Sequence, residues 1–397
     1  MQEAGRSVQA SSNFDPFSDD EKILQSMSIR FFQDKNGKFT RYITHEHDDL
    51  SRIVQVSNLI RRVLYDPTTH FSVVKSKSGM VTEKNTPVGN QLYALVNKGL
   101  ALQVDWHIRY SLNPYFQLYT SRLASLHQVL KYGPKFNGFD ISEQMKRCAI
   151  LNDAVQLART EAQSPAFKTQ IKTLQRNINK KRQGLEEYFD DIFEAGRSVR
   201  LIRIELFYDE KEIETQAIKS RSSKTRSKFV QSLKPFVERE ANRREKPSPN
   251  GFSTDEIIKH KEKFLSIVKS GLAPHLLGYV WKLDYTFDIG FRYHVILCVD
   301  SSSIFSRENI LEIFYNVWRH QVTGGRGISY FHPEGDRDYN GCGTGLVSRE
   351  SPGFAENIAM MIKYMTRPEL YFRLELPNKG KTFGRSYIKS KRASAVD

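Results

Sequence analysis

The sequence predicts an α+β fold: a mainly helical first part, then a mostly antiparallel sheet carrying helices. Two observations give this prediction. In the first half, apolar residues recur at spacings of three and four. In the second half, several segments alternate apolar and polar residues, and turn signals separate them.

Residues 1–22 are polar and read as a loose tail. Helical periodicity begins near Asp49, with Ile53, Val56, Ile60, Val63 and Leu64 on one stripe. The segment HFSVVKSKSGMVT, residues 70–82, predicts a small strand pair. A second helical run holds Leu123, Leu126, Val129 and Leu130. A third holds Phe167, Ile171, Leu174 and Ile178, with Lys168, Lys172, Arg176 and Lys180 off the stripe. These runs make 23–165 a mainly helical accessory region and begin a second unit, 166–397.

In that second unit, residues 198–209 predict a strand. Ile202, Ile204 and Leu206 share one face, Arg203 and Glu205 the other. A basic stretch from Lys219 to Lys246 follows and ends in a Pro-Ser-Pro-Asn-Gly loop. A helix is predicted from Thr254 to about Val268. Next come two strands, 278–285 and 291–300, joined by a short turn. Further helices are predicted from Arg307 to about His320 and from about Ala355 to Thr366. The glycine-rich segment 324–345 reads as irregular, and a basic tail from Lys379 to Arg392 closes the chain. The helices of this unit are expected on one face of its sheet, with the polar residues of interest on the other.

Lys and Arg total 60 against 45 acids in 397 residues, a net charge of +15. Such a field attracts polyanions. The three cysteines, Cys148, Cys298 and Cys342, are far apart and never in CxxC spacing. This argues against a disulfide framework and a thiolate zinc site. No apolar run approaches the roughly 18 residues of a membrane span, and the N-terminus lacks the apolar stretch of a signal peptide. A cytoplasmic protein without membrane contact is expected.

Strand parity gathers the candidate site. Opposite the apolar face of the 278–300 hairpin stand Lys282 and Asp284, then Arg292, His294 and Cys298. Glu205 joins them if its strand is a neighbour. His294 with Asp284 and Glu205 suits Mg²⁺ or Mn²⁺, which polarise a phosphate. The alternative is a cross-strand Asp284–Arg292 ion pair with His294 half-buried beside it. Tyr364 and Arg367 lie three apart at the end of the last helix, so a cation beside the phenol would favour phenolate, a nucleophile. The alternative is a tyrosine packing its ring at a helix end. His45-Glu46-His47-Asp48 reads as a solvated loop.

From Val199 to Tyr387 the chain resembles the filamentous-phage (inovirus) gene II replication-initiator family, which includes YagK/YfjJ-type prophage proteins. The resemblance is carried by WKLDYTFDIGFRYHVIL (281–297), VWRHQVTGGRGISYF (317–331), IKYMTRPELYFR (362–373) and KTFGRS (381–386), in that order. That family looks like a degenerate branch of the HUH rolling-circle endonucleases, so the resemblance implies a Rep-like nicking and joining domain over 166–397. It implies Tyr364 as the nucleophile, with Arg367 where lysine is usual. His294 matches the second metal histidine and Asp284 the acidic position, with Glu205 a further candidate. Arg292 stands where the first histidine would be.

The implied activity is rolling-circle initiation: origin DNA, single-stranded at the nick, is cut and rejoined through a tyrosine–phosphodiester bond, and host polymerase extends the freed 3′-OH. With no G-x-x-x-x-G-K-[ST] loop, a host helicase is expected as partner. Expected DNA contacts are Arg292, Lys219, Arg221, Lys224, Arg226, Lys228, Lys381 and Arg385. The alternative is a prophage DNA-binding or replication-regulating protein without the metal site. Arg292 separates the two readings: an ion pair filling the metal position favours the second.

Overall fold

Alternation over 199–208, 276–286 and 290–300 produces the three long strands at the centre of the molecule. The computed structural model describes residues 20, 23–24, 29–33, 39–43, 46–75, 77, 81–100, 102, 105–132, 141–194, 198–208, 252–287, 290–302, 307–332, 344–377 and 379–388. The strands are β6 (Val199–Tyr208), β7 (Leu276–Thr286) and β8 (Gly290–Asp300). Strand β8 is central, antiparallel to both. Beyond β6 lie β9 (Gly327–Phe331) and β10 (Gly345–Val347), and beyond β7 lies β12 (Phe383–Arg385). All pairings in this six-stranded sheet are antiparallel.

Helix α7 (Thr254–Leu272) starts at a reciprocal capping box. Ser253 accepts from the Glu256 backbone, and the Glu256 carboxylate accepts from the Ser253 backbone. The helix covers the face that bears Trp281 and Tyr293: the Tyr293 hydroxyl donates to the Ile257 carbonyl at 3.1 Å, and Lys261 Nζ sits 4.3 Å from the Trp281 ring centre. Helix α8 (Arg307–Asn316) joins it through Phe314 against Phe264, and the chain continues through a wide π-type turn, 317–322.

The opposite face is covered too. Helix α6 (Pro165–Ile192) and helix α9 (Phe354–Thr366) lie over it. Gly278 marks the contact: a Cβ there would run into the Tyr188 hydroxyl of α6. The expectation of helices on one face alone is therefore corrected. The physical reason is composition: Leu201, Val280, Ile296 and Cys298 lie on the same face as the charged residues, and these apolar groups also need burial.

Before α6 come the hairpins β1–β2 (Ile29–Gln33, Phe39–Ile43) and β3–β4 (Phe71–Lys75, Val81–Asn85). Around them stand α1 (Glu46–Tyr65), α2 (Pro87–Lys98), α3 (Pro114–Leu118), α4 (Leu126–Tyr132) and α5 (Ile141–Gln163). The predicted 70–82 strand pair is present. The segment read as a solvated loop instead enters α1, with Glu46 buried and accepting from the Phe287 backbone. Strand β5 (Tyr110–Leu112) pairs with β11 (Phe372–Leu374), and Trp106 packs on Phe287 and Phe372. The first region and the sheet thus share one continuous core.

The basic stretch with Lys219, Arg221, Lys224, Arg226 and Lys228 lies outside the described residues, as does the 1–22 tail apart from Asp20. Among the described residues no helix is long and apolar enough to cross a membrane.

Candidate functional site

Register brings the predicted residues into one row. Glu205 on β6 stands opposite His294 on β8, and His294 stands opposite Lys282 on β7. Asp284 faces Arg292 one step along. Helix α9 lays Tyr364 over this row, so Glu205, Asp284, Arg292, His294 and Tyr364 come together. Two residues that sequence reasoning left out belong with them. Arg203 was placed on this strand face but not in the site, and His332 follows β9, a strand hidden in the glycine-rich segment.

The Tyr364 hydroxyl lies 3.1 Å from His294 Nδ1. On the other side of the imidazole, Nε2 lies 2.9 Å from Asp284 Oδ2, without the alignment of a hydrogen bond. Burial lowers the His294 pKa and Arg292 lowers it further, against the pull of Glu205 and Asp284, so the ring is neutral near pH 7. A neutral ring that accepts the tyrosine proton at Nδ1 carries its own on Nε2, toward Asp284. Burial pushes the Tyr364 phenol above its ordinary value, outweighing the pull of Arg203.

The cation beside Tyr364 is Arg203, its guanidinium 4.0 Å from the ring centre. Arg367 turns elsewhere: Nε donates to Asp20 at 2.7 Å, and the Tyr371 hydroxyl donates to the same carboxylate at 2.8 Å. The predicted lowering of the Tyr364 pKa by Arg367 is corrected accordingly. Arg367 begins a 3₁₀ turn, Arg367–Leu370, and a buried aspartate captures it there.

Both carboxylates of the site are engaged by cations. Glu205 accepts from Arg292 Nη1 at 2.9 Å and from His332 Nε2 at 3.0 Å, and Arg203 Nη2 lies 3.8 Å away. Lys282 Nζ lies 3.1 Å from Asp284. Burial alone would raise both carboxyl pKa values. Arg292 with the histidines for Glu205, and Lys282 with His294 and Arg292 for Asp284, hold them well below the usual range. A divalent ion is bound through carboxylate oxygens, and here it would have to displace Arg292 and Lys282 to reach them. The donor set of Glu205, Asp284 and His294 does not fit Mg²⁺ or Mn²⁺ in this arrangement. Among the described residues no group of three or more His, Cys, Asp or Glu is disposed to hold a metal.

No family model, curated protein or solved structure matches the chain.

The cluster is closed: Arg292 and His294 are 0% exposed and Tyr364 3%. Arg292, expected to touch DNA, is turned inward to Glu205. Of the other described DNA-contact candidates, Lys381 and Arg385 are exposed at the β12 edge.

Proposed function

We propose that the chain nicks and rejoins DNA through Tyr364, as a rolling-circle initiator does. The observation that supports this most is the line Tyr364–His294–Asp284: a hydroxyl 3.1 Å from one imidazole nitrogen, and a carboxylate 2.9 Å from the other. That is the nucleophile–base–orienter order that activates a weak hydroxyl. His294 takes the Tyr364 proton as the phenolic oxygen bonds to phosphorus. The bond from phosphorus to the 3′ oxygen breaks, and that oxygen leaves as a 3′-OH with a proton taken from water. Arg203, whose guanidinium lies 4.0 Å from the Tyr364 ring centre, supplies positive charge to such a phosphoryl transfer. No metal enters these steps. A phosphodiester must displace the cover of the site before it meets Tyr364.

A second reading is favoured by the burial and by the Arg292–Glu205 ion pair. In it the cluster is a structural core, and the chain holds DNA or regulates replication without cutting.

One assay separates the two: incubation with supercoiled DNA of the chain's own genetic element, with Mn²⁺, with Mg²⁺ and with EDTA. The expected result is an open circle with protein covalently attached, also in EDTA, and none with Tyr364→Phe. If Tyr364→Phe nicks as well as wild type, the nucleophile is another residue, and Tyr371 is the next to test. If neither nicks and both retard the DNA in a salt-dependent way, the second reading holds.

A further inference from the structure

Helix α6 borders a cleft of about 420 Å³ and a second of about 240 Å³, and both are lined by Leu174 and Ile178. The two clefts adjoin at these residues and follow the helix as a groove in two parts. Its first part is rimmed by Lys180, Lys181, Arg385 and Arg373, the last 3.5 Å from Glu375, and its second by Arg61 and by Arg367, which Asp20 holds. Among the described lining residues the sole acid is Glu369, which Lys181 Nζ already engages through both oxygens at 2.6 Å. The floor is apolar, with Leu174, Ile178 and Phe383. Tyr387, just past β12, is 87% exposed.

Gly184 lines the first part. A glycine inside a helix costs about 1 kcal/mol relative to alanine. Here it lies beneath the Arg385 guanidinium, where an added Cβ would stand 3.6 Å from Nη2. Arg385 is also held 5.1 Å from the Tyr188 ring centre, so the cation sits over the groove.

A cationic rim above an apolar floor matches a ligand with phosphates on its outside and flat rings free to stack. A duplex keeps its bases stacked inside and offers none to a floor. We propose that the α6 groove binds an unpaired DNA strand, with phosphates on Lys180, Arg373, Arg385 and Arg61 and a base against Phe383. The groove begins at Arg367, three residues past Tyr364, so a strand in it would lead away from the helix that holds Tyr364. The inference rests on the reading that the chain handles DNA, and it does not require that the chain cut it.

The test is fluorescence anisotropy on the full chain with a labelled oligo-dT of about twenty nucleotides. Lys180→Glu/Arg385→Glu is compared with Lys168→Glu/Arg176→Glu, an equal charge change at exposed α6 positions that do not line the groove. The groove variant is expected to lose about tenfold or more in affinity, with a shallower salt slope. The control should lose about threefold at most, and a labelled duplex should bind the two variants alike. Equal losses in both variants would reduce the effect to general charge and overturn the proposal. So would wild-type affinity in the groove variant, a loss confined to the duplex, or a wild type that does not bind the oligonucleotide. Nicking is scored separately with both variants. A chain that binds in the groove but never cuts removes the nicking reading and leaves this one standing.

Discussion

At the scale of single residues, buried charge governs this protein. Arg292 is fully buried against Glu205, and removing one partner of such a pair leaves the other uncompensated. Arg292→Leu is expected to cost about 3–5 kcal/mol in urea unfolding. Arg292→Leu/Glu205→Leu should recover a clear part of that, and a double variant no more stable than the single one would contradict the pairing. His294 gives a pH dependence. Its folded pKa lies below 6.5, so the unfolded chain takes up a proton that the folded one refuses. Stability should therefore fall as pH drops below about 6.5, and His294→Gln should flatten the decline between about pH 7 and 5. Glu205 and Asp284 act lower, with a loss that begins only below about pH 4.5, where the unfolded carboxylates protonate. An unchanged slope in His294→Gln would assign that pH window to other histidines, such as His70 and His260, which burial also lowers.

At the scale of elements, parity made the site legible. The alternation of 278–285 and 291–300 put Lys282, Asp284, Arg292 and His294 on one face, and the register then set Asp284 opposite Arg292, although their ion pairs go to Lys282 and Glu205. Strands of three to five residues, such as β9 to β12, are too short to show alternation, and their partners lie far along the chain. Gly324 and Gly325, both at positive φ, open the segment read as irregular with a turn, but β9 follows and brings His332 to Glu205. The start of α7 was readable as Ser253 followed three residues later by Glu256. Ser253→Ala is expected to destabilise the chain by about 1 kcal/mol, measured as a lower urea midpoint with an unchanged slope. A changed slope would mean that the variant alters more than the cap.

At the scale of the whole molecule, the first region is tied to the sheet. The Tyr285 backbone donates to the Tyr110 hydroxyl at 3.0 Å, Trp106 packs on Phe287, and β5 pairs with β11. Unfolding is therefore expected in one transition, with tryptophan fluorescence and far-ultraviolet circular dichroism coincident. Two separated transitions would show that 23–165 and 166–397 unfold independently.

The sequence by itself determined the α+β class, the three long strands and the polar face that carries Glu205, Asp284, Arg292 and His294, because strand and helix periods are local properties of the chain. It also determined the positive field, because charge adds up whatever the fold. Only the tertiary structure decided which ion pairs form. Arg292 meets Glu205, Arg367 leaves Tyr364 for Asp20, Arg203 takes its place over the ring, and α9 closes the face. Those outcomes depend on contacts between residues tens to hundreds of positions apart. There, burial selects whichever partners best satisfy a charge removed from water, and sequence spacing says nothing about that choice.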